Sequence, residues 1–475
     1  MSKVNKIALI SPPIGLAERY GKLAGAGSSM PSLGLLSLAA VARRAGAEVH
    51  VIEAAALNLT LEQVMDELAG MRPDMVGITA TTLSVFNAHE TAKAVKEMGP
   101  SVVTVLGGPH VSAVPVETLS RFPQFDIAVL GEGEETFTEL IAALNDGRPP
   151  AEVNGLAVRE DGNVVLTGPR PFIKDLDSLP MPAWELVPGF PERFRPAPFR
   201  YRQLPAAILV SSRGCPNRCT FCDRTVFGRV CRFFSAGYVL GMVRELYGRY
   251  GVRELEFEDD TFVVNKPRVM EICEGIRSSG WGMTWSCLGR VDMVTPELLR
   301  AMKAAGCWQI SYGIESGDQG ILDLVEKKIK LERAREALAW TKEAGMMTKG
   351  FFIVGFPTET KATIEKTVEF AKREALDDIS VFKLTPLPGS KIYEMAGRYG
   401  AFDDDWRKMN LLETVFVPEG LTKEDLDDAA GRLLREFYLR PKVVLSYLGR
   451  LLKNPSHLVP LLKGFVAFMG ATAKR

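Results

Sequence analysis

The apolar run Ala206-Ala207-Ile208-Leu209-Val210 leads into Arg213-Gly214-Cys215-Pro216-Asn217-Arg218-Cys219-Thr220-Phe221-Cys222. The first part reads as a strand. The second, bearing glycine, proline and asparagine, reads as a loop. Its three cysteines stand at x3 and x2 spacing, which lets several thiolates converge on one metal centre. On a [4Fe–4S] cube, three thiolates leave one iron open to another ligand. The spacing alone leaves zinc open as well, because Cys231 is near enough to supply the fourth ligand zinc normally takes.

Downstream, six strand–helix units can be counted. The strands fall near 206–211, 253–257, 284–287, 308–313, 349–354 and 379–384. Helices fall near 236–249, 267–279, 296–305, 331–344, 362–374 and 390–397. This pattern suits an open α/β sheet or a partial barrel, and periodicity does not choose between them. The strands end in Glu258-Asp259-Asp260-Thr261-Phe262, in Arg290 with Asp292, and in Tyr312 to Gly317. The last two end in Val354 to Thr360 and Thr385 to Ser390. Polar and glycine residues at those positions are where such folds carry their chemistry.

Upstream, the first 145 or so residues also alternate. Strands at 7–10, 49–52, 75–79, 102–106 and 127–130 interleave with helices at 33–45, 60–69, 86–97 and 134–144. Near-continuous apolar strands between helices predict a buried parallel sheet with its ligand site at the carboxyl ends of the strands. Those ends carry Ser11-Pro12-Pro13, Thr79 to Ser84, Gly107-Gly108-Pro109-His110 and Gly131-Glu132-Gly133-Glu134. No GxGxxG follows the first strand, so no dinucleotide fingerprint is present. A hairpin is expected around Asp161-Gly162, followed by a proline-rich linker over 170–205. Within that linker, Arg193-Phe194-Arg195-Pro196 and Phe199-Arg200-Tyr201-Arg202 are basic and aromatic, but their neighbours favour a structural linker or an active-site cover.

The 475 residues suffice for two or three domains, and 24% charged with 46% hydrophobic residues is the composition of a globular enzyme. A formal net charge of zero gives no global argument for nucleic acid. Seven cysteines in a chain this long do not make a disulfide framework, so a reducing, cytoplasmic setting is expected. No signal-peptide cleavage pattern follows Met1, and no stretch reaches 18 uninterrupted apolar residues.

The CxxxCxxC loop, with Phe221 before its last cysteine, resembles the cluster loop of the radical S-adenosylmethionine enzymes. The SPP start, GGPH loop and GEGE turn, in that order, resemble the cobalamin-binding domain of one large subgroup. That subgroup includes the anaerobic magnesium-protoporphyrin oxidative cyclase and the hopanoid methylases, and the resemblance covers nearly the whole chain. It implies a Rossmann-like cobalamin-binding domain, a partial (β/α)6 barrel and a helical carboxyl-terminal region. The expected boundaries are 1–148, a hairpin and linker over 149–204, 205–400 and 401–475.

By the same resemblance, Cys215, Cys219 and Cys222 hold a [4Fe–4S] cluster whose open iron chelates S-adenosylmethionine and cleaves it to a 5′-deoxyadenosyl radical. Phe221, Asp259, Arg290, Ser311 and Glu315 are implied at S-adenosylmethionine, with Gly355 and Pro357 shaping the floor beside its adenine. Ser11, Pro12, Thr81, Thr82, Ser84, Gly107, Gly108, His110, Gly131, Glu132 and Gly133 are implied at cobalamin. The loop after Pro13 has no histidine, so cobalt is expected to lack a protein imidazole from there, and His110 reads as a pocket residue. No residue stands out as a general base.

After Leu411 the chain changes character. Thr422 with Glu424 and Asp425 starts a helix of about 15 residues. Beyond Glu436 there is no acidic residue, while basic residues alternate with apolar runs such as 458–462 and 465–469. Such segments lie on anionic membrane surfaces or cap a barrel. The resemblance implies a cobalamin-dependent methyltransferase acting on an unactivated carbon of a hydrophobic (lipid, isoprenoid or tetrapyrrole-like) substrate. A one-electron donor such as flavodoxin or ferredoxin would serve it. The alternative keeps both cofactors but performs oxidative cyclisation, ring contraction or carbon–carbon coupling; a non-enzymatic cobalamin sensor is a third class.

Overall fold

A computed structural model of the chain describes residues 3–198 and 200–453. Phe199 and the apolar runs 458–462 and 465–469 lie outside them. The chain divides into two compact units. Ser29–Phe194 with Met1–Arg19 and Asp223–Phe233 forms the first, and Phe234–Arg475 with Tyr20–Ser28 and Arg195–Cys222 forms the second.

The first unit is built on a seven-stranded sheet in the order β2-β1-β3-β4-β5-β6-β7. Its strands are β1 (Lys6–Ser11), β2 (Glu48–Glu53), β3 (Met75–Thr79), β4 (Val103–Gly107), β5 (Ile127–Val129), β6 (Leu156–Glu160) and β7 (Asn163–Leu166). The first five are parallel. Ile7 to Ile10 of β1 are all buried, because a parallel sheet has both faces covered and has no use for alternation. The hairpin around Asp161-Gly162, expected in the linking region, instead extends this sheet antiparallel from β5. The physical gain is that the short β5 no longer presents an unpaired edge. The chain runs from β1 out to β2 and returns to β3 on the other side. That reversal makes a crevice at the carboxyl ends of β1 and β3.

The second unit holds six parallel strands in the order β13-β12-β11-β10-β9-β8. They are β8 (Ala206–Leu209), β9 (Glu254–Phe257), β10 (Thr284–Gly289), β11 (Cys307–Glu315), β12 (Met347–Val354) and β13 (Asp378–Lys383). Strictly sequential order with helical crossovers gives the partial barrel, with β8 and β13 as its two edges. Phe352 of β12 turns outward to Phe370 of the helix α1 (Lys361–Arg373), with ring centroids 6.5 Å apart. Period two therefore sends Lys349, Phe351 and Ile353 to the inner face.

That inner face carries both ionic and apolar side chains. Lys349 pairs with Asp378 at 3.1 Å, and Arg200, just ahead of β8, pairs with Glu256 and, at 3.0 Å, with Glu258. Asp378 also accepts from Tyr438, and from Tyr447 at 3.4 Å. These tyrosines come from α2 (Lys423–Tyr438) and α3 (Pro441–Lys453), so the carboxyl-terminal helices fasten to the edge strand β13. A Thr422–Asp425 capping box starts α2 where the sequence placed a helix start. Its apolar side chains, Leu288, Phe351, Ile353 and Phe382, are all half-buried, with the Phe351 and Phe382 rings 6.1 Å apart.

Two isolated buried carboxyls set a pH dependence. Glu53 accepts from the Ser32 backbone N–H at 2.7 Å, and Glu359 accepts from the Gly355 and Phe356 backbones. Burial pushes each up from 4.5 to about 7. Between those values the folded chain carries protons that the unfolded chain has released. Stability should therefore fall as pH rises through this window, by at most about 1.4 kcal/mol per pH unit for each group, and level off once both are ionised. Urea midpoints at successive pH values check the sign, and Glu359→Gln should flatten the slope. A midpoint that climbs across the window would contradict the assignment.

Candidate active site

The cysteine loop leaves β8 and is held from both sides. The Thr220 N–H donates to the Val325 carbonyl at 3.0 Å, and the Ile392 N–H donates to the Thr220 carbonyl at 2.9 Å. The Phe221 ring lies 5.6 Å from Phe356. Asp259 is wholly buried at the end of β9 and accepts from the Ser211 N–H at 3.1 Å, the Ser211 hydroxyl at 2.9 Å and the Ser212 hydroxyl. Its carboxylate is thus committed to the start of the loop. Asp259 holds the loop's backbone, a different task from the ligand contact that the resemblance implies.

Cys215 is half-buried, Cys219 buried and Cys222 exposed. Asn217 donates to the Cys215 sulfur at 3.3 Å. A hydrogen bond from Cys222, then the nearby charges of Lys327 and Arg290, bring the Cys219 thiol down to about 6. Among the described residues, no three His, Cys, Asp or Glu side chains converge on a single ion. A cube takes each thiolate on a different iron, so three soft donors on one loop, one of them with its thiol brought down by Cys222 and then by two nearby cations, fit a cluster.

Those cations form the most charged part of the site. Lys327 and Glu315 make an ion pair of 2.6 Å, each side chain 8% exposed. Burial opposes the lysine's charge, but Glu315 and Cys219 outweigh it and hold Lys327 above the usual lysine range. Its Nζ stands 5.9 Å from the Phe221 ring centroid. Arg290 is fixed by Asp292 at 3.0 and 3.1 Å and by the Lys327 carbonyl at 2.9 Å. Glu315 has a φ of +70°, which a non-glycine residue adopts only where its surroundings impose it. Gly313 permits the arrangement, since a Cβ there would lie 2.7 Å from the Lys327 Nζ. Ser311 is buried on β11; Gly355 and Pro357 are buried just after β12. All seven residues expected at S-adenosylmethionine therefore lie on the cluster loop, within a strand or at a strand's carboxyl end. Lys327 was missed: in Glu326-Lys327-Lys328-Ile329-Lys330 it reads as one more surface lysine.

In the first unit, Ser11 and Pro12 end β1, and Ala80 to Ser84 follow β3, so they flank the crevice at the strand reversal. Ser84 Oγ accepts from the Thr81 N–H at 3.0 Å, which shapes that turn. Gly108 has φ +104°, and a Cβ there would lie 2.7 Å from the Ala80 carbonyl oxygen, so only glycine lets β4's turn close against β3's. His110 is 1% exposed, its Nδ1 lies 3.2 Å from the Thr82 hydroxyl, and burial followed by Arg121 brings it down to about 3. It is a neutral ring that supports Thr82 from behind. Glu132 is committed to a buried pair with Arg232 at 2.6 Å and to the Ile173 N–H at 3.0 Å. The Gly131-Glu132-Gly133 turn therefore offers backbone rather than a carboxylate. An open crevice bordered by glycine turns and hydroxyls suits a large, polar-edged cofactor.

Comparison with known proteins agrees with this geometry. Residues 22–141 match the B12 binding domain family, and residues 209–371 match the radical SAM superfamily. The chain is 35% identical to an uncharacterized methyltransferase of Pyrococcus horikoshii over 94% of its own length and 95% of that protein's. It is 31% identical to the anaerobic magnesium-protoporphyrin IX monomethyl ester cyclase of Rubrivivax gelatinosus, covering 84% and 72%. Its fold matches the cobalamin-dependent S-adenosylmethionine radical enzyme OxsB, solved with aqua-cobalamin and S-adenosylmethionine, with a TM-score of 0.75 at 17% identity, over 97% of this chain and 72% of that one. The chain belongs to the cobalamin-binding radical S-adenosylmethionine enzymes. It uses a [4Fe–4S] cluster, S-adenosylmethionine and cobalamin, acts on a small molecule, and needs an external electron donor.

Proposed function

We propose that this enzyme is a methyltransferase that alkylates an unactivated carbon of a hydrophobic substrate of lipid, isoprenoid or tetrapyrrole type. The near full-length likeness to a protein named as a methyltransferase carries the reaction type. A 27% identical relative, the cytidylyl-2-hydroxyethylphosphonate methyltransferase of Streptomyces wedmorensis, supports it. The half-buried Leu288, Phe351, Ile353 and Phe382 on the barrel's inner face support an apolar substrate. The proposed four domains, 1–148, 149–204, 205–400 and 401–475, divide the labour between the two cofactor units, the connecting segment and the helical tail. A flavodoxin or ferredoxin is the proposed donor, and the helical tail is proposed to meet a membrane surface, where such substrates reside.

Cys215, Cys219 and Cys222 would hold the cluster, and the turns after β1, β3, β4 and β5 would hold cobalamin. These groups supply one-electron chemistry and a methyl carrier. The chain's own part is positional. Asp259 fixes the loop through Ser211 and Ser212, while Lys327 and Arg290 supply positive charge beside Cys219. The apolar inner residues keep water from the substrate. No side chain is required as a general base.

The test is an anaerobic incubation of reconstituted protein with cobalamin, methyl-labelled S-adenosylmethionine, reductant and a total lipid extract. Label in a lipid, together with S-adenosylhomocysteine and 5′-deoxyadenosine, is the expected result. Substrate-dependent 5′-deoxyadenosine without label or homocysteine product would defeat the methyl-transfer reading. The cyclase relative makes oxidative cyclisation or coupling the reading to take up in that event.

A further inference from the structure

We propose that the outward face of α3, with Leu439 ahead of it, seats this protein on an anionic lipid surface. The inference rests on the membrane-surface part of the reading above and is independent of methyl transfer. On the inward side, Val443 is buried and Tyr447 reaches Asp378. On the outward side, Val444 is 41%, Leu445 66% and Leu448 50% exposed, and Leu439 is 64% exposed. At about 100° per residue, Val444, Leu448 and Leu445 span an arc of about 100° turned away from Val443. Among the described residues, these four exposed large hydrophobic side chains fall within ten positions, and apart from Val165, Leu166 and Phe172 the others are scattered between Met98 and Leu411. Single exposed leucines need no explanation, but a cluster does.

Charge identifies what would cover it. The sequence has no acidic residue after Glu436, while Lys442, Arg450, Lys453, Lys463, Lys474 and Arg475 follow. Arg440 is already engaged, with its guanidinium donating to the carbonyls of Lys372 and Leu376. Lys442 is exposed beside the apolar arc. Exposed aliphatic side chains with Lys442 beside them, in a stretch of sequence that carries basic and no acidic residues, fit the acyl–headgroup boundary of an anionic bilayer. Protein contacts draw their strength from aromatic and arginine anchors in fitted pockets, and this face presents none among its described side chains. A second copy would set lysine against lysine.

The experiment is co-sedimentation of the full-length protein with vesicles of phosphatidylcholine alone and of phosphatidylcholine with phosphatidylglycerol, at low and high salt. The parent protein should partition at least about tenfold more strongly onto the anionic vesicles, less so in high salt. The double variant Leu445→Glu with Leu448→Glu should lose at least about nine-tenths of that binding with its melting temperature unchanged. Failure of the parent to pellet with either vesicle would overturn the inference, as would a double variant that binds like the parent. A dimer in sedimentation velocity that the double variant dissociates would assign the face to a second copy. A lowered melting temperature, with new protease cleavage after Lys453, would assign it to the chain's own residues 454–475. Both of those results refute the lipid assignment. Vesicle binding without any methyl transfer leaves the inference standing and removes only the proposed reaction.

Discussion

Replacing Cys219 by alanine is expected to reduce 5′-deoxyadenosine formation to below about one thousandth of the parent rate. Cys219 is the buried thiol of the three, and the one brought down to about 6 beside Lys327 and Arg290. Its loss leaves Cys215 and Cys222, two donors for a cube that needs three from the chain. Iron content and the visible absorption of the cluster should fall together. Cobalamin binding by the first unit should persist. Thermal stability should change little, because the loop keeps its backbone bonds from Thr220 to Val325 and from Ile392 to Thr220. Retention of iron and activity in the alanine variant would show that the loop is not the cluster's seat.

The second large effect concerns Lys327. Changing it to methionine removes the partner of Glu315 from a pair whose side chains are each 8% exposed. An uncompensated buried carboxylate costs about 3–5 kcal/mol, which urea denaturation should register as a marked fall in midpoint. The double variant Glu315→Leu with Lys327→Met should regain most of that stability, since an apolar pair replaces a buried ionic one with little net loss. If the pair serves only the fold, 5′-deoxyadenosine formation should return as well. We expect it to stay low, because the positive charge beside Cys219 and the Glu315 carboxylate expected at S-adenosylmethionine are both missing. Full recovery of turnover in the double variant would reduce Lys327 to a structural role.

How much of this was legible beforehand depends on the range of the interaction concerned. The strand–helix alternation, the cysteine loop, the turns after β1, β3, β4 and β5, and the helix start at Thr422 are local patterns. Periodicity and turn chemistry act over a few residues, so the sequence by itself determined them. Through the family resemblance that they carry, the three closely spaced cysteines and the SPP, GGPH and GEGE turns, each contiguous in the chain, also implied the cofactor class. Partners separated in sequence were not legible. Nothing in Glu326-Lys327-Lys328 separates the buried Lys327 from its neighbours, because its environment is made by Glu315, Phe221 and Cys219 from other elements. Nor could the sequence show that Asp259 and Glu132 spend their carboxylates on Ser211, Ser212 and Arg232. A residue's type announces what it can bind; its partner is chosen by packing. The choice between open sheet and partial barrel was likewise tertiary, resting on the sequential order of six parallel strands. The hairpin's place beside β5, the ionic layer joining Arg200 to Glu256 and Glu258, and the fastening of Tyr438 and Tyr447 to Asp378 were decided there too. Each brings together residues tens of positions apart, and only burial makes such pairings worth more than water.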